Sequence, residues 1–211
     1  MIKKGFTLTE VLITLGIIGV LAAITIPRLF NSTQNAHLGS QFSTAISTIE
    51  TGMGMYLYDK NVKSSSYLTI VTGDTARTPN LSDVLAALEG KYIKMKALTN
   101  APACGYPCGA SSGYALPDKS IIGVCAQSEY LTDHSGQAKD ELFFLSSRSL
   151  NQKSIVEGYD YFRMSLSANG LIYLPGPDGD YDTGANYACK PDEGGKGCAS
   201  KVAANGWKVT Y

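Results

Sequence analysis

Glu10 is the residue whose chemistry fits its surroundings least. It lies near the start of residues 5–27, GFTLTEVLITLGIIGVLAAITIP, a stretch that is otherwise apolar. As a helix, the roughly 21 residues of 6–26 would span about 31 Å at about 1.5 Å each, the thickness of a bilayer's hydrocarbon core. A carboxylate inside such a segment costs about 2.5–3.5 kcal/mol on insertion scales, so it calls for a partner. Cutting the chain after Gly5 would create one, the amino group of Phe6. That amine could come from the same molecule or from a neighbour packed alongside. In the second case the segment assembles subunits as well as anchoring them.

Other residue sets carry possible chemistry. Cys189 and Cys198 bracket a Gly- and Lys-rich loop, and a disulfide closing it would contribute about 2–3 kcal/mol. Among Cys104, Cys108 and Cys125, a hairpin turning at Pro117-Asp118 sets Cys125 opposite about residue 110. That brings Cys108 nearest, so Cys108–Cys125 is the preferred pair and Cys104 is left over. A zinc site from Cys104, Cys108, Cys125 and His134 is the sharper alternative, but the spacing is irregular. Asp178, Asp180 and Asp182 alternate between turn formers and could aim several oxygens at one calcium ion. The pattern departs from an EF-hand loop, with its glycine one residue late and Cys189 where the bidentate glutamate would stand.

Two further matches carry less. Gly109-Ala110-Ser111-Ser112-Gly113 fits the G-x-S-x-G nucleophile pattern, with Asp133-His134 downstream. That motif works only between a strand and a helix, and no helix pattern follows it here. Lys91-Tyr92-Ile93-Lys94-Met95-Lys96 mixes basic and aromatic residues that could touch DNA phosphates. Three lysines make a small patch, so nucleic acid is not an expected partner.

The elements that must position these groups begin with one long helix. Phe42, Ala45, Ile46, Ile49, Met53, Tyr56 and Leu57 recur at three- and four-residue spacings, with Ser43, Thr44, Ser47, Thr48 and Glu50 between them. Joined to the apolar stretch, they predict a helix of about 50 residues ending at Asp59-Lys60-Asn61, apolar all round in its first half and one-sided in its second. Pro27 should kink or loosen it at the junction. Residues 82–89 read as a short helix with Ser82 as N-cap and Gly90 as terminator. Strand signals follow: 114–116 and 120–124 around Pro117-Asp118, then 142–145. Residues 161–174 read as a hairpin around Asn169-Gly170, a pair suited to a type I′ turn, and 207–211 as a last strand. The fold class is α+β, a long N-terminal helix packed on an antiparallel sheet.

The leader Met1-Ile2-Lys3-Lys4-Gly5, then Phe6-Thr7-Leu8-Thr9-Glu10, then the apolar run, resembles the class III signal of type IV pilins and type II secretion pseudopilins. The resemblance covers about the first 30 residues. It implies cleavage after Gly5 by a membrane-bound prepilin peptidase, methylation of Phe6, and docking of the subunit into a filament with the help of Glu10. Pro27 sits where many such pilins carry a helix-loosening proline. The resemblance also implies the pilin-like α+β fold, a cystine-bounded C-terminal region, and calcium near the C-terminus as in major pseudopilins. The implied partners are other copies or related pilins, the peptidase, and an inner-membrane assembly platform with its ATPase.

Composition bounds the rest. The 211 residues carry 18 basic and 18 acidic side chains, so no global charge draws the chain to an anionic surface. All five cysteines lie beyond residue 100, which fits an oxidising compartment, and the odd count leaves one thiol over. Lys3 and Lys4 should hold the leader in the cytoplasm and send the bulk outward. The domain expectation is a cleaved leader at 1–5, a membrane and filament-core helix at 6–29, and an extracytoplasmic domain at 30–211. The expected function is a structural subunit of a pilus or pseudopilus in the bacterial inner membrane. It is not an enzyme and requires no cofactor, with calcium possible. A single-pass membrane protein that binds a ligand and never polymerises is the reading from another class.

Overall fold

Thr7 opens the long helix. Its backbone is extended (φ −78°, ψ 147°), its hydroxyl accepts the Glu10 N–H, and the Glu10 side chain reaches back to the Thr7 N–H, a capping box. In this computed structural model, which describes residues 7–61, 70–72, 75–77, 81–99, 110–132, 138–147, 158–166, 170–174 and 198–209, helix α1 runs over Leu8–Asp59, 52 residues. It ends where Asp59-Lys60-Asn61 predicts: the Lys60 N–H donates to the Tyr56 carbonyl at 3.0 Å, and Asn61 takes a left-handed φ of 53°, which asparagine tolerates. The helix continues through Pro27. Proline lacks an N–H, so the Ala23 carbonyl loses its helical donor there while the segment stays helical.

The halves of α1 differ as expected. Leu8–Ile26 has a mean hydropathy of 2.2 and none of it is buried. The second half buries Phe42, Ala45, Ile46, Ile49, Met53, Tyr56 and Leu57, the predicted stripe, together with Leu38.

That stripe meets a sheet. Strands β1 (Ile70–Thr72) and β2 (Thr75–Arg77) form a separate two-stranded ribbon, and helix α2 (Leu81–Leu88) follows. Then β3 (Lys96–Ala97), β4 (Ala110–Ala115), β5 (Ile121–Thr132), β6 (Ala138–Leu145), β7 (Tyr161–Leu166) and β8 (Ile172–Tyr173) lie side by side in chain order, each antiparallel to the next, before α3 (Cys198–Ala204). Alternation along the strands sorts the side chains by face. Ile122, Val124, Leu142, Phe144, Phe162 and Met164 join the α1 stripe in one core. Ile121, Cys125, Phe143, Leu145 and Tyr161 form a second cluster on the opposite face. Phe42 centres the main core, stacked on Phe162 at 4.5 Å between ring centroids and edge-on to Trp207 at 5.7 Å.

Several expectations are corrected in detail. Helix α2 starts at Leu81, so Ser82 lies inside it; the Ser82 hydroxyl pairs with that of Ser112 at 2.9 Å instead of capping. The turn at Pro117-Asp118 holds, closed by the Lys119 N–H to the Leu116 carbonyl at 2.9 Å, with Lys119 at φ 68°. Strands β5 and β6 are longer than the apolar residues alone predict. The β7–β8 hairpin forms, but Leu166 pairs with Ile172 and Ser165 with Tyr173. An odd number of residues therefore separates the strands, and a two-residue turn at Asn169-Gly170 does not fit that register. Gly170 still needs its glycine, at φ 84°.

The last predicted strand does not appear among the described residues: Trp207–Val209 is irregular, and residues 210 and 211 lie outside them. Helix α3 is closed instead by the Trp207 N–H to the Val202 carbonyl at 2.8 Å, with Gly206 (φ 65°) and Trp207 (φ 63°) both left-handed. This turn presses the Trp207 carbonyl against α1 at Gly39, where a Cβ would lie 1.8 Å from that oxygen. Gly39→Ala is expected to lower stability by about 1–3 kcal/mol, since backbone must shift to admit the methyl. Gly54→Ala, whose Cβ meets nothing within 4 Å, should be neutral or stabilising by up to about 1 kcal/mol. Melting temperatures of the two variants check the contrast.

Candidate functional site

The first turn of α1 holds the residue that the sequence singles out. The Glu10 Oε2 accepts the Thr7 N–H at 2.9 Å and the Thr7 hydroxyl at 2.8 Å. Those two donors answer part of the need created by a carboxylate in an apolar segment. Among the described residues Oε1 accepts no hydrogen bond, so it is free for a donor from elsewhere. Gly5 and Phe6 lie outside the described residues. Thr7 itself was not singled out from the sequence, although Thr7-x-x-Glu10 carries the capping-box signature.

Beyond Glu10 the helix presents apolar side chains on every side. Leu8, Leu12, Leu15, Ile18, Leu21 and Ile24 are all more than half exposed. The hydroxyls in this stretch are satisfied within the helix: Thr14 donates to the Glu10 carbonyl at 3.0 Å and Thr25 to the Leu21 carbonyl at 2.9 Å. The segment therefore leaves few polar groups that need water, and about a dozen large apolar side chains that need cover. Such a surface suits hydrocarbon or other helices. Pro27 lies at its far end, outside the 19-residue span of Leu8–Ile26.

The other end of α1 is tied to the domain by charge. The Lys91 ammonium stands 2.6 Å from the Asp59 Oδ2, and the Tyr92 hydroxyl donates to the same oxygen. The Lys91 bond first and the Tyr92 bond second hold the Asp59 carboxyl below the usual aspartate value; the same contact raises the Lys91 ammonium above its ordinary value. A carboxyl depressed in the folded state stabilises above its unfolded pKa and loses that stabilisation as pH falls through its folded pKa. The melting temperature of the native chain should therefore fall more steeply below about pH 4 than that of Asp59→Asn. The gap between them at neutral pH should be small, because both partners are exposed. With Lys91 engaged in this way, the basic patch at 91–96 offers less to a phosphate backbone.

The remaining candidate residues separate. Cys125 and Cys198 are both disulfide-bonded, so Cys125 is no thiolate for zinc. Cys125 lies opposite Ser111 across β4 and β5, within one residue of the expected register, and Cys198 opens α3. Cys104, Cys108 and Cys189, and with them both proposed pairings, lie outside the described residues, as does His134. Asp178, Asp180 and Asp182 also lie outside them; among the described residues no cluster of three or more metal-ligating side chains occurs. Ser111, Ser112 and Gly113 stand in strand β4, paired to β5 and remote from any strand-to-helix turn, so the G-x-S-x-G match is no nucleophile elbow.

Residues 1–26 match the family described as the prokaryotic N-terminal methylation motif, a span that contains Gly5, Phe6 and Glu10. The chain is also similar to a type II secretion system core protein G of Pectobacterium carotovorum subsp. carotovorum, 30% identical over 104 residues. The matched region is 49% of this chain and 56% of that relative, so the chain spans about half the relative's length. No solved structure matches.

Proposed function

We propose that this chain is a structural subunit of a type IV filament, held in the bacterial inner membrane by α1, cut after Gly5, methylated on Phe6 and polymerised through its first helix. The observation that carries the reading is the contrast within α1. One half is apolar all round and none of it is buried, with a single carboxylate at its head, and the other half buries one apolar stripe in its own domain. The exposed half needs a bilayer before assembly and neighbouring helices after it. Within the bilayer there is no hydrophobic drive between helices, because lipid tails are as apolar as leucine. Extraction must then draw on specific contacts, and Glu10 Oε1 with a neighbour's Phe6 amine supplies one. An assembly ATPase and platform would provide the work.

Between pilus and pseudopilus, the similarity to a type II secretion system protein favours the pseudopilus, a short filament that moves folded proteins through an outer-membrane channel. Fractionation tests the shared core of both. The native chain, produced with its peptidase and platform, should appear in sheared, high-mass filaments. A chain found wholly as membrane-bound monomer would instead support a non-polymerising anchor with a binding domain.

Calcium binding by Asp178, Asp180 and Asp182 belongs to the same proposal, supported by the alternation of carboxylates between turn formers. Without the ion three carboxylates repel one another, and binding to the folded form stabilises by about 2.7 kcal/mol at a hundredfold excess over Kd. Millimolar calcium should raise the melting temperature, chelator should reverse it, and Asp180→Ala should abolish the response. Magnesium should substitute poorly, since it prefers a tighter octahedral shell. A melting temperature indifferent to calcium and chelator would make the segment an ordinary acidic turn.

A further inference from the structure

Each face of the six-stranded sheet carries a buried apolar cluster, and among the described residues its two edge strands are β3 and β8. Edge strands carry outward N–H and C=O groups that can pair with a strand of another chain. At β3 the Leu98 N–H, one residue on, donates inward to the Gly113 carbonyl at 2.9 Å. By alternation the Ala97 N–H points outward, and it donates to the Glu89 Oε1 at 2.7 Å. At β8 the Ile172 N–H donates to the Glu50 Oε1 at 3.0 Å. The two glutamates come from different places, Glu50 from the C-terminal part of α1 and Glu89 from the residue after α2, yet each takes an edge donor.

We infer that Glu50 and Glu89 guard the two sheet edges against strand-to-strand association with another copy of this chain. An incoming strand would have to displace a charge-assisted hydrogen bond and place its carbonyl oxygens beside a carboxylate. Each edge strand is only two residues long, and Lys96 stands on β3, so three edge-blunting devices act together. The guard leaves the first helix as the surface through which copies associate. It does not depend on the filament reading, because an open edge would be a liability in any membrane-anchored form of this domain.

The test uses the full chain in detergent micelles, which cover the exposed half of α1. Wild type, Glu50→Ala, Glu89→Ala and the double variant are incubated well below their own melting temperatures, and thioflavin fluorescence and size exclusion follow association. Each single variant should shorten the lag several-fold, and the double should shorten it further. Ala97→Pro removes the outward donor at an exposed position; placed in Glu89→Ala, it should restore the wild-type lag. Wild-type lag times in the Ala variants would overturn the inference. So would a Glu89→Ala lag that Ala97→Pro leaves short, because the association would then come from a loosened fold. Should Glu50→Ala not fold, the Glu89 and Ala97 variants decide alone.

Discussion

Glu10→Ala is expected to abolish incorporation into filaments while leaving membrane insertion and cleavage after Gly5 intact. The separation follows from the position of the carboxylate. Removing it from an apolar segment makes insertion easier, by at most about 2.5–3.5 kcal/mol, the cost of a charge at mid-membrane, so lost assembly cannot be assigned to failed insertion. Thr7 does lose the acceptor of its N–H and hydroxyl. That costs about 0.5–2 kcal/mol at one helix end, too little to unfold a 52-residue helix whose other half is packed in a core. Glu10→Gln sharpens the test, because it keeps an acceptor for Thr7 and removes the charge. If Oε1 meets a neighbour's amine, Gln should assemble nearly as poorly as Ala. Blotting sheared and membrane fractions reads the result, and a normal filament yield from either variant would remove charge pairing from the mechanism.

Gly5→Val should leave the precursor uncut. A β-branched side chain is stiff at χ1 and adds bulk beside the scissile bond, where the resemblance to prepilins implies that the peptidase needs a small residue. The uncut chain keeps Lys3 and Lys4 ahead of its apolar segment in sequence, where they should hold it at the cytoplasmic face. It also lacks a free Phe6 amine to offer a neighbour's Glu10. Near-complete loss of both processing and filaments is expected, with the full-length chain accumulating in the membrane. On a denaturing gel the variant should run above the mature wild-type chain, and co-migration would show that the cut does not fall at Gly5.

Much of this architecture is legible in the residues because its determinants are local or strictly periodic. The α1 stripe from Phe42 to Leu57 repeats at helical spacing over several turns, and every member is buried. Asn61, Gly90 and the Pro117-Asp118 turn carry their backbone preferences in their own chemistry, and each sits where a chain reversal or helix end occurs. Thr7 and Glu10 are equally local, and their spacing alone announces the capping box. The rest depends on distant partners. Trp207, with its aromatic ring among β-branched neighbours, suggests a strand; its conformation is set instead by the end of α3 and by close approach to Gly39 of α1. Helix α3 is short and built largely of small residues, so its burial comes from tertiary packing. Glu50 looks like one more polar residue on a solvated face, yet its acceptor serves a strand 122 positions away. No local pattern encodes that contact, nor the one-residue shift in the β7–β8 register.

The most direct measurement is the identity of the N-terminal residue of the mature chain, read by mass spectrometry of the N-terminal peptide from the membrane and filament fractions. A filament subunit processed at the Gly5–Phe6 bond should begin at Phe6 and carry one added methyl group on its α-amine. A chain that still begins at Met1, or one cut beyond the apolar run near Thr25, would contradict assembly through this helix.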